Sequence, residues 1–519
     1  VPETPNEDRV IDIAIIGGGI NGAAIARDAA GRGWSVYLCE QDDLGANPSA
    51  APLSLIHGRL HHLEVGSTRC LRQALADRDV LLSIAPHLVW PLRFVLPVRS
   101  GTHEAALALG GRFLSDLLRR GRVLPRARLL RLARDDAGYM LKLHFKRALE
   151  LSDCWVDESR LAVVTARDAH AHGAIIETRT RCLGAERLDG VWSVLVEDEA
   201  CVQWTLRART LVNTARALPA AAARDGPPHA AGAAFSKLSR EISIVLPRLY
   251  GHGRGYIFPD PEGRMVFVMP YEREFTLIGT VIEENDPSAR TAGVSTDELA
   301  SLCRAATAYF RVPVTADQVI ATSACVHALV DGGAPHGRAA VAEQGIVLEA
   351  PPGAAPLLSV GGGGVAAHRR LAAAVVDRLA ARLPSPASDG LPAGWTAREP
   401  LPGGDFTPDG FATEVAAIRM RYPFLPAQAA RRLGRTYGTR VPRVLGRARK
   451  FADLGRRPGA DLTETEIRYL VRREWATRAE DIVWRRTKLG LRMSDKEIAA
   501  VEAMVAEIRA ELRAAEFPA

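Results

Sequence analysis

The sequence predicts an α/β fold followed by an all-helical domain, and three stretches carry that expectation. In the first, the apolar run Ile11-Asp12-Ile13-Ala14-Ile15-Ile16 breaks into Gly17-Gly18-Gly19-Ile20-Asn21-Gly22 and continues as a helix over Ala23 to Ala30. It returns as Ser35-Val36-Tyr37-Leu38-Cys39 and ends at Glu40. Strand, G-x-G-x-x-G turn, helix, strand and acid stand in the order a dinucleotide site requires. In the second, the strand Pro356 to Val360 runs into Gly361-Gly362-Gly363-Gly364 and a helix, Ala366 to Leu383, so backbone approaches a cofactor closely a second time. In the third, helical spacing takes over beyond the Pro/Gly-rich linker that runs from Pro384 to Gly404. The helices there are Glu414 to Arg421, Ala427 to Tyr437, Glu464 to Thr477 and Asp495 to Ala514.

Each part of the first motif has a physical task. Gly17 allows the tight turn, Gly19 lets backbone approach a pyrophosphate, and Gly22 lets the helix pack closely on the strand. The helix N-terminus offers free N–H groups and a partial positive charge to phosphates. Glu40 falls where a carboxylate accepts hydrogen bonds from an adenosine ribose.

Between these landmarks the chain reads in order. A loop, Gln41 to Pro48, leads to Leu55-Ile56-His57-Gly58-Arg59-Leu60-His61-His62-Leu63-Glu64. Apolar spacing over Arg69 to Ala85 predicts a helix ended by Pro86, and Leu92 to Leu96 reads as a strand. Further strands are expected at Gly173 to Ile176, Val191 to Val196 and Leu211 to Asn213. From about Ser236 to Thr280 the pattern turns antiparallel, with Ile242 to Leu246 and Met265 to Met269 as strands. A helix, Thr296 to Phe310, precedes a strand at Val319 to Cys325.

Composition limits the function classes. A chain of 519 residues holds two or three domains, and 47% apolar with 24% charged residues is ordinary for globular proteins. The seven cysteines are scattered without CxxC pairs, which points to a reducing compartment, to cysteines serving as small buried hydrophobes, and to no metal site. No run approaches the length of a membrane span, and the polar N-terminus lacks a signal-peptide core, so a cytoplasmic protein is expected. The net charge of +7 rests mostly on arginine in an alanine-rich chain, and no nucleic-acid partner is read from it. One stretch is locally extreme: residues 112–134 hold eight arginines and one acid, Asp116, with leucines between. It reads either as a basic amphipathic segment for an anionic membrane surface or as a solvated helical face beside a loop broken at Gly121 and Pro125.

Taken together, these motifs resemble the FAD-dependent glycerol-3-phosphate dehydrogenases, over nearly the whole length. The carriers are Ile15 to Ala23, Ala29-Ala30-Gly31-Arg32-Gly33, Leu55-Ile56-His57-Gly58, Ala85-Pro86-His87-Leu88, Ser152 to Asp157, Leu211-Val212-Asn213, Leu358-Ser359-Val360 with Gly362-Gly363, and Pro402-Gly403-Gly404. The C-terminal signature Glu474 to Lys488 completes the set. The resemblance implies a Rossmann-like FAD domain of the D-amino-acid-oxidase-like superfamily, an inserted antiparallel substrate-binding sheet, and a C-terminal all-α domain. On these grounds the FAD domain is expected at about 1–90, 150–230 and 320–390, the interleaved cap at about 91–149 and 231–319, and the helical domain at 391–519. The implied reaction oxidises sn-glycerol 3-phosphate to dihydroxyacetone phosphate with hydride passing to the flavin. The implied partners are that substrate or a relative, a quinone or other electron acceptor, the inner face of the cytoplasmic membrane, and a second copy in a homodimer.

Against the family's pattern, the pocket departs. Where the family reads Ser-Ser-Lys-Leu-Ile-His-Gly-Gly-Leu-Arg-Tyr-Leu-Glu, a lysine has become Ser54, a glycine Arg59, the arginine His61 and the tyrosine His62. A further pocket arginine is His327, and the lysine and threonines over the flavin are lost around Gly364 to His368. Arg216 replaces a glycine of a cofactor turn. Neutral histidine supplies one donor where arginine supplies a charged fork, so phosphate affinity should fall near neutral pH. The catalytic candidates are His57, His61 and His327, and the substrate-binding candidates are His62, His368 and Arg369. The cofactor candidates are Gly17, Gly19, Ile20, Asn21, Gly22, Glu40, Gln41, Ile56, His57, Gly58, Cys182, Gly362 and Gly363. Adjacent His61 and His62 would point to opposite faces of a strand, which argues against metal. Three readings follow: the family's dehydrogenase, a flavoprotein of this fold with another substrate or with oxygen as acceptor, and a pseudoenzyme kept for its surfaces.

Overall fold

In the computed structural model, residues 9–46, 52–56, 68–98, 124–215, 237–284, 293–329, 345–362, 364–386 and 389–516 are described. In chain order the strands are β1 (Val10–Ile16), β2 (Val36–Glu40), β3 (Val89–Val98), β4 (Arg128–Arg131), β5 (Arg147–Val156), β6 (Ile175–Thr178), β7 (Thr180–Leu188) and β8 (Val191–Asp198). They continue as β9 (Gln203–Asn213), β10 (Lys237–Pro247), β11 (Gly255–Pro259), β12 (Met265–Tyr271), β13 (Phe275–Glu284), β14 (Ala321–Leu329), β15 (Ile346–Glu349) and β16 (Leu357–Val360). The longer helices are α1 (Ile20–Gly31), α2 (Thr68–Ile84), α3 (Glu158–Ala171), α4 (Thr296–Tyr309), α5 (Gly364–Ala380), α6 (Phe411–Arg421), α7 (Ala427–Tyr437), α8 (Glu464–Arg473) and α9 (Asp495–Glu516).

Two sheets organise the first three quarters of the chain. The nucleotide sheet runs β15-β16-β9-β1-β2-β6, parallel except for β15, with Ile13 to Ile16 paired to Val36 to Cys39 on one side and to Thr210 to Asn213 on the other. Burial on both faces explains why β1 is apolar at every position but Asp12. Ile13 and Ile15 join the core under α1, α3 and α5, while Ile11, Ala14 and Ile16 face the layer made with Trp192, Val194 and Val196 of β8. Strand β9 serves both layers: its first half pairs antiparallel with β8 and its second half parallel with β1. The short apolar run Leu211 to Asn213 marks only that second half.

The cap sheet runs β14-β10-β13-β12-β11-β3-β5-β4 and is antiparallel save for the β11–β3 pair. Ile242, Ile244 and Leu246 point from β10 into a core shared with α4, whose start is fixed by a capping box between Ser295 and Glu298. Here the expected domain limits shift. Strand β5 extends the cap to Val156, and β14 pairs with β10 along nine registers, so 321–329 belongs to the cap rather than to the FAD segment expected from 320. Neither strand alternates cleanly enough in sequence to reveal its partner.

Other expectations shift locally. The helix expected to reach Thr477 stops at Arg473, because Trp475 takes φ 53° and Ala476 N–H bonds back to the Leu470 carbonyl. The described part of the basic stretch holds no α-helix: residues 128–131 form edge strand β4, with Arg128 and Arg131 exposed and Leu130 buried, and Leu132–Arg134 follow as a single 3-10 turn. Residues 112–123 lie outside the described residues. Cys201 is exposed in a turn, whereas Cys39, Cys154, Cys182, Cys303 and Cys325 are buried as expected. No helix among the described residues is long and apolar enough to cross a membrane, and none of their His, Cys, Asp and Glu side chains cluster as metal ligands.

Candidate active site

The first glycine turn is closed by backbone contacts that exclude side chains. A Cβ on Gly22 would lie 1.9 Å from the Gly17 carbonyl oxygen, and one on Gly17, at φ 108°, would lie 2.6 Å from the Thr214 hydroxyl. That hydroxyl donates to the Ile16 and Gly17 carbonyls, fastening the turn to the end of β9. Among the described residues no side chain caps α1 and no acid sits in its first turn, so its dipole favours a pyrophosphate there. Glu40 accepts from the backbone N–H of Gly18 at 2.6 Å and of Asp42 at 2.9 Å. Burial raises its pKa while these two donors pull it down.

Three separate segments then converge. Asn21 Nδ2 donates to the Gly362 carbonyl at 3.3 Å, linking the first glycine turn to the second, where Gly362 takes φ 70°. Ile20, Ile56 and Val365 pack in one apolar cluster, which brings the segment before His57 against both turns. Asn21 Oδ1 is buried without a partner among the described residues. A Cβ on Gly364 would meet nothing within 4 Å. An unfilled acceptor, a helix N-terminus with no acid in its first turn and side-chain-free turns fit a dinucleotide lying from Glu40 to Gly362.

The cap sheet supplies the opposite wall. Residues 52–56 bridge to β5, with the Ile56 N–H on the Cys154 carbonyl at 2.9 Å and the Val156 N–H on the Ser54 carbonyl at 3.0 Å. Above them, Ser239, Glu241 and Ser243 alternate with the core-facing isoleucines of β10. Glu241 accepts from the Leu53 N–H at 3.0 Å, and the Ser54 hydroxyl donates to Glu158 at 3.1 Å. Burial, reinforced by the negative charge of Glu158, pushes Glu241 up to about 8. Leu53 lies over Gly279, where an added Cβ would be 3.2 Å from its Cδ2 and 3.0 Å from Ser243 Cβ. The Ser243 hydroxyl is buried without a partner among the described residues. An acid isolated in a β-run was the one signal in the sequence that Glu241 differs from its neighbours.

The C-terminal signature docks beside the nucleotide loop. Asp43, 1% exposed, accepts from Arg485 Nε at 2.6 Å and from both terminal nitrogens of Arg486, the Nη2 contact being 2.8 Å. Gly45 of the same loop donates to the Gly18 carbonyl at 3.1 Å. Residues 481–486 form a π-helical turn, and its Asp481 receives Arg179 at 2.7 Å, one residue past β6. Lys488 reaches Asp157, the cap of α3, at 3.2 Å. These charges hold the loop that follows Glu40, so the signature acts on the cofactor end of the fold.

The candidates from sequence divide accordingly. Gly17, Gly19, Ile20, Asn21, Gly22, Glu40, Ile56 and Gly362 come together, and Gln41 follows Glu40 with its side chain exposed. Cys182 lies on β7, buried in the apolar layer with Tyr37 and Cys39 rather than beside the Glu40 carboxylate. His327 stands opposite Ser239 in the β10–β14 register. His368 is buried with Nδ1 2.6 Å from the Val365 carbonyl, and burial lowers its pKa to about 4, so it stays a neutral packing group. Arg369 lies 3.8 Å from Asp77 of α2 beside Arg370 at 3.1 Å, drawn away from the glycine turn as a substrate ligand. His57, Gly58, His61, His62, Arg216 and Gly363 lie outside the described residues.

Comparison with known proteins bears on this arrangement. Residues 12–370 match the FAD dependent oxidoreductase family, and residues 395–516 match the C-terminal domain of alpha-glycerophosphate oxidase. The chain is 40% identical to a glycerol-3-phosphate dehydrogenase of Pseudomonas aeruginosa over 94% of its length and 93% of the relative's. It is 37% identical to the aerobic glycerol-3-phosphate dehydrogenase of Escherichia coli (92% and 94%) and to a D-erythritol 1-phosphate dehydrogenase of Brucella abortus (95% and 97%). In fold it is similar to the glycerol-3-phosphate dehydrogenase of Bacillus halodurans complexed with FAD, with TM-score 0.69 at 21% identity, covering 98% of this chain and 94% of that one.

Proposed function

This chain belongs to the FAD-dependent glycerol-3-phosphate dehydrogenase family, and from that premise we propose that it oxidises the secondary alcohol of a polyol phosphate, sn-glycerol 3-phosphate foremost, at a bound FAD. The observation that carries the reading is the convergence of the two glycine turns and residues 53–56 under the polar face of β10. Bound flavin supplies the hydride acceptor. The α1 N-terminus and Glu40 would hold its adenosine diphosphate half, and the Ile20–Ile56–Val365 cluster would form an apolar wall between the two turns. Glu241, with a pKa near the working range, takes the proton of the substrate hydroxyl as the C–H bond breaks. A quinone or another acceptor would take the electrons onward.

A second reading has its own support. Where the family carries a lysine, Ser54 bonds Glu158, with Glu241 on the preceding residue, so among the described residues this part of the wall is acidic where a phosphate would want cations. That favours a polyol whose charged end sits elsewhere, and one relative's name, D-erythritol 1-phosphate dehydrogenase, points to a longer chain. The test is the visible spectrum of the purified protein on anaerobic addition of each polyol phosphate. Bleaching by glycerol 3-phosphate supports the first reading, and bleaching by erythritol 1-phosphate alone supports the second. A flavin band that neither bleaches removes both, and absence of flavin after incubation with FAD leaves the pseudoenzyme. Glu241→Gln should slow the bleaching roughly a hundredfold or more with flavin retained.

The same reading places the chain peripherally on an anionic membrane surface. Its support is the row of exposed Arg126, Arg128, Arg131 and Arg134 continuing the basic sequence from Arg112. Vesicle flotation that is unchanged when these arginines become glutamine would remove that part.

A further inference from the structure

Away from the flavin side, a second polar cavity lies where α3 meets the C-terminal helices. It is lined by Arg160 and Arg167 of α3, Tyr437 and Arg440 at the end of α7, and Tyr469 and Glu474 at the end of α8. Arg160 is 2% exposed and gives both terminal nitrogens to Glu474 and one to the Thr436 carbonyl at 3.0 Å. Its Nε is buried and has no hydrogen-bond partner among the described residues.

Charge is unbalanced here. Glu474 offsets Arg160, but Arg167 and Arg440 bring two more guanidiniums. Arg167 lies over the Trp475 ring at 5.6 Å, and neither it nor Arg440 forms an ion pair among the described residues. Burial, together with the charges of Arg473 and Arg440, pushes the Arg167 pKa down despite Tyr469 and Glu474. Nearby His87 is fully buried with neither ring nitrogen partnered among the described residues, and its Nε2 lies against Gly403, next to the cavity-lining Pro402. Burial and the charges of Arg160 and Arg440 lower its pKa to about 3, so it adds a neutral polar wall, not a fourth cation.

We propose that this junction binds a small oxyanion, inorganic phosphate or the phosphate end of a phosphomonoester, which completes the docking of the C-terminal domain on α3. Guanidinium forks match the oxygens of a phosphate, and half-buried charges are screened less than surface ones. The proposal is independent of the reading of the flavin site.

Thermal unfolding of the whole chain in phosphate, against chloride at equal ionic strength, tests it. A saturable rise in Tm is expected, with a parallel change in tryptophan emission that Trp475→Phe removes. Both responses should vanish in the Arg167→Gln/Arg440→Gln variant, which folds because neither arginine carries an ion pair in the described structure. No rise in the wild type overturns the site, and so does an equal rise in the variant, which would place the phosphate elsewhere, the substrate pocket included. Dihydroxyacetone phosphate in place of phosphate, read only as the part of the rise that the double variant loses, distinguishes the sources. A lower half-saturation for the ester supports a metabolite ligand, and equal values support the free ion.

Discussion

Asp43→Ala should destabilise the chain by about 3–5 kcal/mol in urea titrations and strip flavin from the purified protein. The carboxylate is buried between Arg485 and Arg486, and Arg486 is buried with it. Removing it leaves the Arg486 guanidinium without its anion, while Arg485 keeps Glu480 and Asp481, and an unpaired buried charge costs more than the pair contributes when intact. The loop that would relax carries Glu40 at one end and Gly45, bonded to Gly18, at the other. Stability and flavin content should therefore fall together. An Asp43→Leu/Arg486→Met double variant should recover much of the stability, because an apolar pair of similar volume leaves no uncompensated charge. Strict additivity of the single changes would remove this account.

The second large effect is on pH. Burial pushes Glu241 and Asp153 up to about 8, from ordinary values of 4.5 and 3.8. Between those limits the folded chain holds two protons that the unfolded chain has released, so stability falls as pH rises toward 8, by about 1.4 kcal/mol per unit for each group. His87 and His368 act oppositely: burial lowers them to about 3 and about 4 from 6.5, so their contribution is complete above pH 6.5 and is lost as pH falls below it. Between about pH 4.5 and 6.5 the two pairs offset each other. Above that range only the carboxyls act, and because each slope halves as pH reaches 8, stability should drop by roughly 3 kcal/mol between pH 6.5 and 8. Glu241→Gln should halve that drop, since the amide oxygen can still accept from the Leu53 N–H. Denaturant midpoints that hold level from pH 6.5 to 8 would contradict it.

Much of the fold was legible from local pattern. The first glycine motif, the second glycine run, the antiparallel section and the C-terminal helices each depend on neighbours a few residues apart, and that spacing is written in the chain. The cap's true extent was not, because β14 is recruited by its register with β10 some eighty residues earlier, and nothing within 321–329 names that partner. The candidate histidines illustrate the same limit. His368 reads as a pocket residue from alignment to a motif, yet helix α5 turns it into the packed interior, where its ring bonds the Val365 carbonyl.

By itself, the sequence determined that two glycine turns and an acid would hold a dinucleotide, since tight turns and free helix N-termini are local properties. Tertiary structure alone decided what surrounds that dinucleotide. Glu241 meets Leu53 across 188 positions, and Asp43 meets Arg486 across 443. The pKa of one and the stabilising role of the other come from burial, which no stretch of sequence specifies alone, because desolvation depends on everything packed around the charge.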